Sequence, residues 1–282
     1  MNDFQAKLLE ILKAFIAVCD KHNLRWQMCA GSVLGAVRHK GFIPWDDDVD
    51  VMMPREDYNK FIKLQKEFEG TPYFIQTWRS DPHYTYNYAK LRDSSTTFIE
   101  NFYVNHRINH GLWVDIFPID GMSKEVKDRK KLGKKLIYPW YNSYMVYLPS
   151  LLRKFRKETF LKDLGLNTVG CLFWLFNPFH VRQRIVDKYV SHLSLDEAKM
   201  AGTFFEFNIK IAAMNTAIFL DSIDVDFEDI KVKIPKLYDE YLTNMYGDYM
   251  TPPPLDKQVG GHHDKGTSLT EGYESYMRRN RI

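Results

Sequence analysis

Apolar side chains recur between residues 4 and 20 at the spacing of one helix face. They are Leu8, Leu9, Ile11, Leu12, Phe15, Ile16 and Cys19. Asn2 or Asp3 can cap the start of this segment, and Asn23 follows its end. The pattern therefore predicts an amphipathic first helix.

A strand, a glycine turn, a short helix and a second strand are predicted next. Residues 24–28 alternate between apolar and polar side chains, which is typical of a strand, and Gly31 and Ser32 follow as a turn before a short helical stretch. Residues 48–53 predict the second strand, and Pro54 suits the first position of another helix. A small α/β unit is therefore complete within the first quarter of the chain.

Three further strands are predicted before the composition of the chain changes. They cover residues 73–78, 84–92 and 111–117. Residues 124–135 are rich in lysine and helical in pattern, and residues 137–190 are aromatic and basic without the alternation of a strand. This part of the chain is therefore predicted to be mainly helical.

Together these patterns predict an α/β (α+β) protein, with a mixed sheet flanked by helices and a mainly helical second region. The predicted boundaries are a core at 1–122, a helical aromatic and basic region at 123–246, and a Pro/Gly-rich C-terminal tail at 247–282. The tail is expected either to wrap over the surface as an ordered loop or to be mobile.

The composition is that of a folded globular protein without a strong overall charge. The 282 residues are 45% hydrophobic and 27% charged, and they allow one large domain or a domain with an appendage. The net charge of +3 gives no reason to expect a polyanionic partner, so no nucleic acid is predicted. Any recognition of phosphate must therefore be local.

The N-terminus does not predict a secreted or membrane-spanning protein. It lacks the pattern of a signal peptide, and no stretch reaches the ~18 uninterrupted apolar residues that a membrane span needs. Cys19, Cys29 and Cys171 are odd in number and lie among apolar residues, which suits buried reduced thiols. We therefore expect a soluble cytoplasmic protein.

Acidic residues are concentrated where the second predicted strand begins. Asp48 and Asp50 are two apart in that strand and should project from the same face. With Asp46 and Asp47 they form a negative patch whose repulsion a hard divalent cation would offset. An exposed acidic turn is the alternative, but the run enters an apolar strand one short helix after a Gly-Ser turn, which favours a metal site.

The Gly-Ser turn is a candidate phosphate site. Backbone N–H groups at Gly31, the hydroxyl of Ser32 and the dipole of the following helix would all favour an anion. Arg38, at the end of that helix, has the forked donors that suit phosphate oxygens. The alternatives are an ordinary helix start, and a surface ion pair between Arg38 and the nearby aspartates.

Residues 31–61, which read GSVLGAVRHKGFIPWDDDVDVMMPREDYNKF, resemble the signature of the LicD family of phosphotransferases. The similarity continues more weakly through 88–96, 113–121 and 246–254. This family is similar to the nucleotidyltransferase fold, with a Gly-Ser turn, a strand carrying Asp-x-Asp and a third carboxylate from a neighbouring strand. The resemblance implies a nucleotidyltransferase-like catalytic core at 1–122.

The three carboxylates of that pattern can be assigned to this sequence. Asp48 and Asp50 match the Asp-x-Asp pair. Asp115 is the best candidate for the third, because it would share one strand face with Trp113, and Asp120 is the fallback. We expect Asp48 and Asp50 to hold one or two Mg²⁺ ions, or alternatively Mn²⁺, and Asp115 to share a metal and to accept the proton of the acceptor hydroxyl.

The resemblance also implies a reaction. Members of the family transfer a phosphorylated alcohol, most often phosphocholine from CDP-choline, to a sugar of a cell-surface polymer precursor such as lipopolysaccharide or teichoic acid. The expected partners are CDP-choline or another CDP-alcohol and a glycan or lipid-linked polymer precursor. A true nucleotidyltransferase acting on a sugar or small molecule, and a catalytically silent nucleotide-binding scaffold, remain as alternatives.

The predicted strand at 84–92 carries aromatic and basic residues on one face. Tyr84, Tyr86, Tyr88, Lys90 and Arg92 would alternate on it. Aromatic rings can hold a quaternary ammonium group, and Lys and Arg can hold a phosphate, so this face could bind both ends of phosphocholine. Simple packing of the tyrosines with their hydroxyl groups outward is the alternative.

Several other residues are weaker candidates. Trp45 and Trp113 lie next to the carboxylates in the sequence and are alternative walls for an aromatic cage. His262 and His263 have no metal-ligand spacing and are predicted to be loop residues, with contact between one of them and the substrate as the alternative. The aromatic and basic residues 137–183 suggest packed helices, with peripheral membrane contact near a lipid-linked acceptor as a minority hypothesis.

Overall fold

A computed structural model provides the structure of the protein. It describes residues 1–84, 86–101, 103–104, 107–122, 194–203 and 213–280, with isolated positions between 160 and 184. The helix predicted at 124–135, nearly all of the aromatic and basic stretch at 137–190, and Cys171 lie outside the described residues.

The described residues form both helices and strands. The helices are α1 (Asp3–Lys21), α2 (Ala30–His39), α3 (Arg55–Phe61), α4 (Ala217–Leu220), α5 (Tyr238–Tyr246) and α6 (Tyr273–Asn280). The strands are β1 (Gln27–Met28), β2 (Asp50–Pro54), β3 (Tyr73–Gln76), β4 (Ala89–Asp93), β5 (Thr97–Glu100), β6 (Leu112–Met122), β7 (Met200–Gly202), β8 (Ala213–Asn215), β9 (Ser222–Phe227), β10 (Ile230–Pro235) and β11 (Asp264–Ser268). Within these residues, every helix is too short or too polar to cross a bilayer.

The first helix forms as its pattern predicts. The Asn2 side chain accepts a hydrogen bond from the Gln5 backbone N–H (2.8 Å), and the Gln5 side chain accepts one from the Asn2 N–H (3.1 Å). This capping box satisfies backbone donors that would otherwise lack partners at the helix start. The apolar stripe of α1, including Leu12 and Phe15, is buried in the core against the sheet.

A mixed sheet with β6 at its centre forms the core, which confirms the predicted α+β class. The strand order is β1-β2-β6-β4-β3, in which β2 runs parallel to β6 and β4 runs antiparallel to it. The far end of β6 pairs with β7, which pairs in turn with β8. Because β6 pairs with a strand on each side, the register of its residues is fixed relative to both β2 and β4.

The regions after residue 122 contribute strands as well as helices. The described parts of 123–246 contain β7 to β10 beside α4 and α5, and β7 extends the core sheet instead of belonging to a separate helical unit. Residues 222–235 form a two-stranded antiparallel hairpin of β9 and β10. In the tail at 247–282, β11 pairs antiparallel with β5, so this segment is attached to the core by a strand.

Several predicted boundaries differ from those observed, and three of them bear on the site. Helix α2 begins at Ala30, so Gly31 and Ser32 lie in its first turn instead of in a turn before it. Strand β2 begins at Asp50, so Asp48 precedes it. Strand β4 begins at Ala89 and excludes the tyrosines upstream, because those rings pack on one another instead of alternating across a sheet.

Candidate active site

Asp50 and Asp115 lie opposite each other on neighbouring strands. Strands β2 and β6 are parallel, and Asp50 is the register partner of Asp115. Adjacent strands are about 4.8 Å apart, so the two side chains begin close together. The Asp115 N–H donates to Val49 O (2.9 Å), which extends the pairing one residue before β2 and fixes Asp48 at the same end of the strand.

The acidic residues are close enough to oppose one another's ionisation. Burial raises the pKa of Asp48, and the charge of Asp46 raises it further. Burial also holds the pKa of Asp50 well above its usual value, with additional repulsion from Asp48 and Asp115. The pKa of Asp46 is raised by burial and by Asp47. Nearby positive charge is therefore needed to keep the cluster fully ionised.

Lys90 provides a positive charge beside Asp115. Its side chain is 2% exposed, and Nζ lies 3.3 Å from Asp115 Oδ1 and 3.6 Å from Glu100 Oε2. The same ammonium group lies 3.7 Å from the ring centroid of Trp113, whose Nε1 donates to Asp115 Oδ2 (2.8 Å). The predicted phosphate-binding lysine is thus a buried cation tied to two carboxylates.

Arg92 is placed beneath this site instead of facing a substrate. It is fully buried and donates to Gln76 Oε1 (2.8 Å), Gly111 O (2.6 Å) and Glu100 Oε2 (3.2 Å). Its nitrogens are therefore committed to the protein, and its predicted contact with phosphate does not fit this geometry. Burial opposes ionisation of Glu100, but Lys90 and Arg92 outweigh it and lower the pKa of Glu100.

Gly31 and Ser32 contact the acidic residues, whereas Arg38 is hydrogen-bonded to the C-terminal segment. Ser32 Oγ accepts a hydrogen bond from the Asp50 N–H (2.9 Å), so this hydroxyl anchors the start of β2. A Cβ atom at Gly31 would lie 3.1 Å from Asp46 Oδ2, so the first turn of α2 touches the acidic cluster. Arg38 instead donates to Tyr249 O (2.7 Å), away from the carboxylates.

The predicted tyrosines form a cluster of rings that reaches Lys90. Tyr86 and Tyr88 stack with centroids 4.8 Å apart, and Tyr84, which is fully buried, lies 5.6 Å from Tyr86. Lys90 Nζ is 5.9 Å from the Tyr86 centroid. Tyr86 and Tyr88 are partly exposed, so they form the accessible side of this aromatic cluster.

Two other predicted candidates have side chains that contact other residues of the protein. Trp45 is partly buried and packs edge-on against His39, with centroids 6.2 Å apart. Asp120 is 1% exposed and accepts two hydrogen bonds from Arg55, at 2.7 Å and 2.6 Å. Asp120 is therefore committed to a bidentate ion pair, which favours Asp115 over the fallback Asp120 as the third carboxylate.

His262 joins the site although its sequence context predicted only a loop residue. Asp47 accepts hydrogen bonds from the N–H groups of Gly261 (3.2 Å) and His262 (3.0 Å), and Asp47 Oδ1 lies 3.0 Å from His262 Nδ1. A Cβ atom at Gly260 would lie 2.5 Å from Asp47 Oδ2, so only glycine allows this approach. The partners are more than 200 positions apart, and no local spacing could reveal the pair.

The carboxylate oxygens fit a hard divalent cation. Asp115 Oδ1 is buried without a hydrogen bond, even though Lys90 is nearby. Oxygen donors from Asp48, Asp50 and Asp115 are the ligand type that Mg²⁺ or Mn²⁺ prefers. Potential ligand atoms of Asp47, Asp48 and His262 also lie within 4.8 Å of one another. The Asp47 oxygens, however, already accept the hydrogen bonds that hold the C-terminal segment.

Comparison with known proteins agrees with this arrangement. Residues 23–160 match the family described as LicD/FKTN/FKRP, nucleotidyltransferase domain. The chain is 28% identical over 284 aligned positions to the lipopolysaccharide cholinephosphotransferase LicD of Haemophilus influenzae, covering 93% of this chain and 96% of that protein. An uncharacterized protein of Rickettsia prowazekii is 29% identical over 113 positions, covering 40% of this chain and 39% of that protein.

These similarities support a transferase. The region that matches the family contains Asp50 on β2 and Asp115 on β6. The mixed sheet, the Asp-x-Asp pair and the third aspartate on the neighbouring strand have the arrangement that the resemblance implies. Both comparisons therefore agree that this chain is similar to the LicD family.

Proposed function

We propose that this protein transfers phosphocholine, or a related phospho-alcohol, from a CDP-activated donor to a sugar hydroxyl of a cell-surface polymer precursor. The observation that carries the proposal is the pairing of Asp50 with Asp115 beside buried Lys90. It occurs in a chain similar over nearly its whole length to a lipopolysaccharide cholinephosphotransferase. The shared length supports the same class of donor and acceptor.

The carboxylates of Asp48, Asp50 and Asp115 would hold a Mg²⁺ ion that offsets the charge of the donor diphosphate. Lys90 adds a fixed positive charge where charge develops on the transferred phosphoryl group. Trp113 holds Asp115 in place through its Nε1 hydrogen bond. The positive end of the α2 dipole lies against the same cluster and favours an anion there.

The direction of transfer follows from which phosphorus is attacked. The acceptor oxygen forms a bond to the phosphorus that bears choline, and the bond from that phosphorus to the bridging oxygen breaks. CMP leaves with the bonding electron pair. Attack on the other phosphorus would leave nucleotide on the acceptor, which is the outcome of a true nucleotidyltransferase.

The aromatic cluster supports choline as the head group. Tyr86 and Tyr88 are partly exposed and stacked, and the Tyr86 ring lies 5.9 Å from Lys90 Nζ, so a quaternary ammonium could contact the rings while its phosphate faces the cation. Tyr84 is fully buried and would support these rings without touching the donor.

Replacing Tyr86 should discriminate between donors. We expect Tyr86→Ala to lower kcat/KM for CDP-choline by roughly 2- to 30-fold, the range of a cation–π contact worth about 0.5–2 kcal/mol. The value for CDP-glycerol, which has no cationic head group, should change little. Tyr86→Phe keeps the ring and serves as the matched control. Equal losses with both donors would argue against a choline-binding role.

Metal binding should be visible without any assay of activity. Mg²⁺ at about 100 times its Kd should raise the free energy of unfolding by about 2.7 kcal/mol, because it binds only the folded state. Thermal unfolding of the wild type in EDTA and in Mg²⁺ measures this effect. We expect Asp50→Asn to lose most of the shift, and an unchanged shift in that variant would place the ion elsewhere.

The proposed reaction is tested directly with purified protein, Mg²⁺ and a panel of CDP-alcohols, with lipopolysaccharide as acceptor. Release of CMP and a phosphocholine mass increment on the acceptor are the expected results. A nucleotide increment would identify a true nucleotidyltransferase. Absence of turnover with every donor, while nucleotide binding persists, would favour the silent scaffold.

A further inference from the structure

The imidazole of His262 is held in one orientation by Asp47. Nδ1 lies 3.0 Å from Asp47 Oδ1, and the same carboxylate accepts the His262 backbone N–H at 3.0 Å. Asp47 also accepts the backbone N–H of Gly261, so its oxygens face three hydrogen-bond donors or ring nitrogens of the 261–262 segment, and Nδ1 is placed to donate to Oδ1.

With Nδ1 facing Asp47, Nε2 is the ring nitrogen that carries the lone pair whenever the ring is neutral. Among the residues that the structure describes, none forms a hydrogen bond with His262 Nε2. The side chain is 27% exposed, so the ring is accessible to a substrate. An oriented imidazole with an available ring nitrogen is the arrangement that accepts a proton from a hydroxyl group.

The ring lies at the rim of the carboxylate cluster. Its Nδ1 is 3.8 Å from Asp48 Oδ2, and the ring meets Trp113 edge-on with centroids 5.4 Å apart. Trp113 in turn donates to Asp115. His262 therefore lies beside Asp48 and beside Trp113, the residue that is hydrogen-bonded to Asp115.

Contacts of residues 260–264 with the core hold the His262 ring at this position. Strand β11 begins two residues after His262, and Asp264 is the register partner of Glu100 on β5. The Asn101 N–H donates to His263 O (3.1 Å). With glycine at position 260 allowing close approach to Asp47, these contacts hold the segment on both sides of His262.

Asp115, the proton acceptor expected in the sequence analysis, is less suited to that role. Its side chain is only 7% exposed, Oδ2 already accepts the Trp113 hydrogen bond, and Oδ1 faces Lys90 at 3.3 Å. His262 has an accessible nitrogen and no such cation in direct contact within the described residues.

We propose that His262 is the catalytic base that activates the acceptor hydroxyl, with Asp47 as its positioning residue; this inference rests on the proposed phosphotransfer. The hydroxyl proton passes to Nε2 as the acceptor oxygen bonds to phosphorus. The bond to the departing CMP breaks and its electron pair stays on CMP. The imidazolium then releases the proton to solvent.

His262→Asn separates this role from simple support of the loop. The asparagine amide can still donate to Asp47 from the position of Nδ1, but it has nothing in place of Nε2. We expect kcat with CDP-choline, Mg²⁺ and lipopolysaccharide to fall about 10²–10⁴-fold, while KM for CDP-choline and the thermal unfolding temperature stay close to wild type. Imidazole added to His262→Ala should restore part of the rate, which a structural role would not predict.

His263→Asn is the matched control, since His263 is exposed and adjacent, and wild-type kinetics are expected for it. Wild-type activity that persists within threefold in His262→Asn would overturn the inference while leaving the proposed function intact. Loss of the Mg²⁺-dependent thermal shift in His262→Asn would also overturn it, by showing that His262 binds the metal. A wild-type protein inactive with every CDP-alcohol would instead contradict the proposed function itself.

Discussion

The Asp115→Asn protein is expected to fold normally and to lose transfer activity by at least about 10²–10³-fold. The asparagine oxygen can still accept the Trp113 hydrogen bond that Asp115 Oδ2 accepts at 2.8 Å, so the local packing should persist. The variant lacks the negative charge that pairs with Lys90 and would bind the metal. Initial rates of CMP release and thermal unfolding measure the two effects separately.

Retention of more than about one third of wild-type turnover by Asp115→Asn would contradict the assignment of Asp115. Asp93→Asn offers a comparison on the neighbouring strand β4, because Asp93 is also buried but is the register partner of Leu112, away from Asp50. That variant should keep its turnover per folded molecule even if its stability changes.

The Asp120→Ala protein should show the opposite behaviour. Asp120 is 1% exposed and forms a bidentate pair with Arg55, so its removal leaves a partly buried guanidinium without that partner. Breaking a buried ion pair costs about 3–5 kcal/mol of folding free energy. Chemical denaturation should show that loss, while turnover per folded molecule at low temperature stays near wild type.

A double variant tests the physical reason for that loss. Replacing both members of a buried pair by apolar residues is often close to neutral, because no charge remains unpaired. Arg55→Met combined with Asp120→Leu should therefore recover much of the stability lost in Asp120→Ala. Loss of turnover in folded Asp120→Ala at low temperature would return Asp120 to consideration as a catalytic carboxylate.

Local patterns in the sequence predict much of the core. The capping box around Asn2 and Gln5 and the apolar stripe that follows determine α1 through contacts within one or two turns. The alternation around Trp113 and Asp115 correctly predicts a strand, and their side chains are hydrogen-bonded on one face. Resemblance to the family supplied the expectation that Asp115 would adjoin the Asp-x-Asp pair.

The remaining parts of the site depend on contacts between distant segments. Strand β11 is short and largely exposed, so it lacks the apolar alternation that marks a strand in a sequence. Its pairing with β5 nevertheless brings His262 to Asp47. Glu100 could have been suspected as a lone acidic residue at the end of an apolar strand, but its partners Lys90 and Arg92 are visible only in the fold.

The alternating tyrosines show why a period of two is not sufficient to define a strand. Tyr84, Tyr86 and Tyr88 lie before β4 and make ring contacts with one another. Tyrosine at every second position can therefore mark an aromatic cluster as well as a strand. The rings of such a cluster can bind a ligand without belonging to the sheet.

The most direct test of the metal-centred account is the anomalous difference map of crystals grown with Mn²⁺ and CDP-choline. The account predicts a Mn²⁺ peak bound by oxygens of Asp50 and Asp115, with the donor diphosphate on the side of Lys90. A peak held only by Asp47 and His262, or density for the donor without any ion beside Asp50 and Asp115, would contradict it.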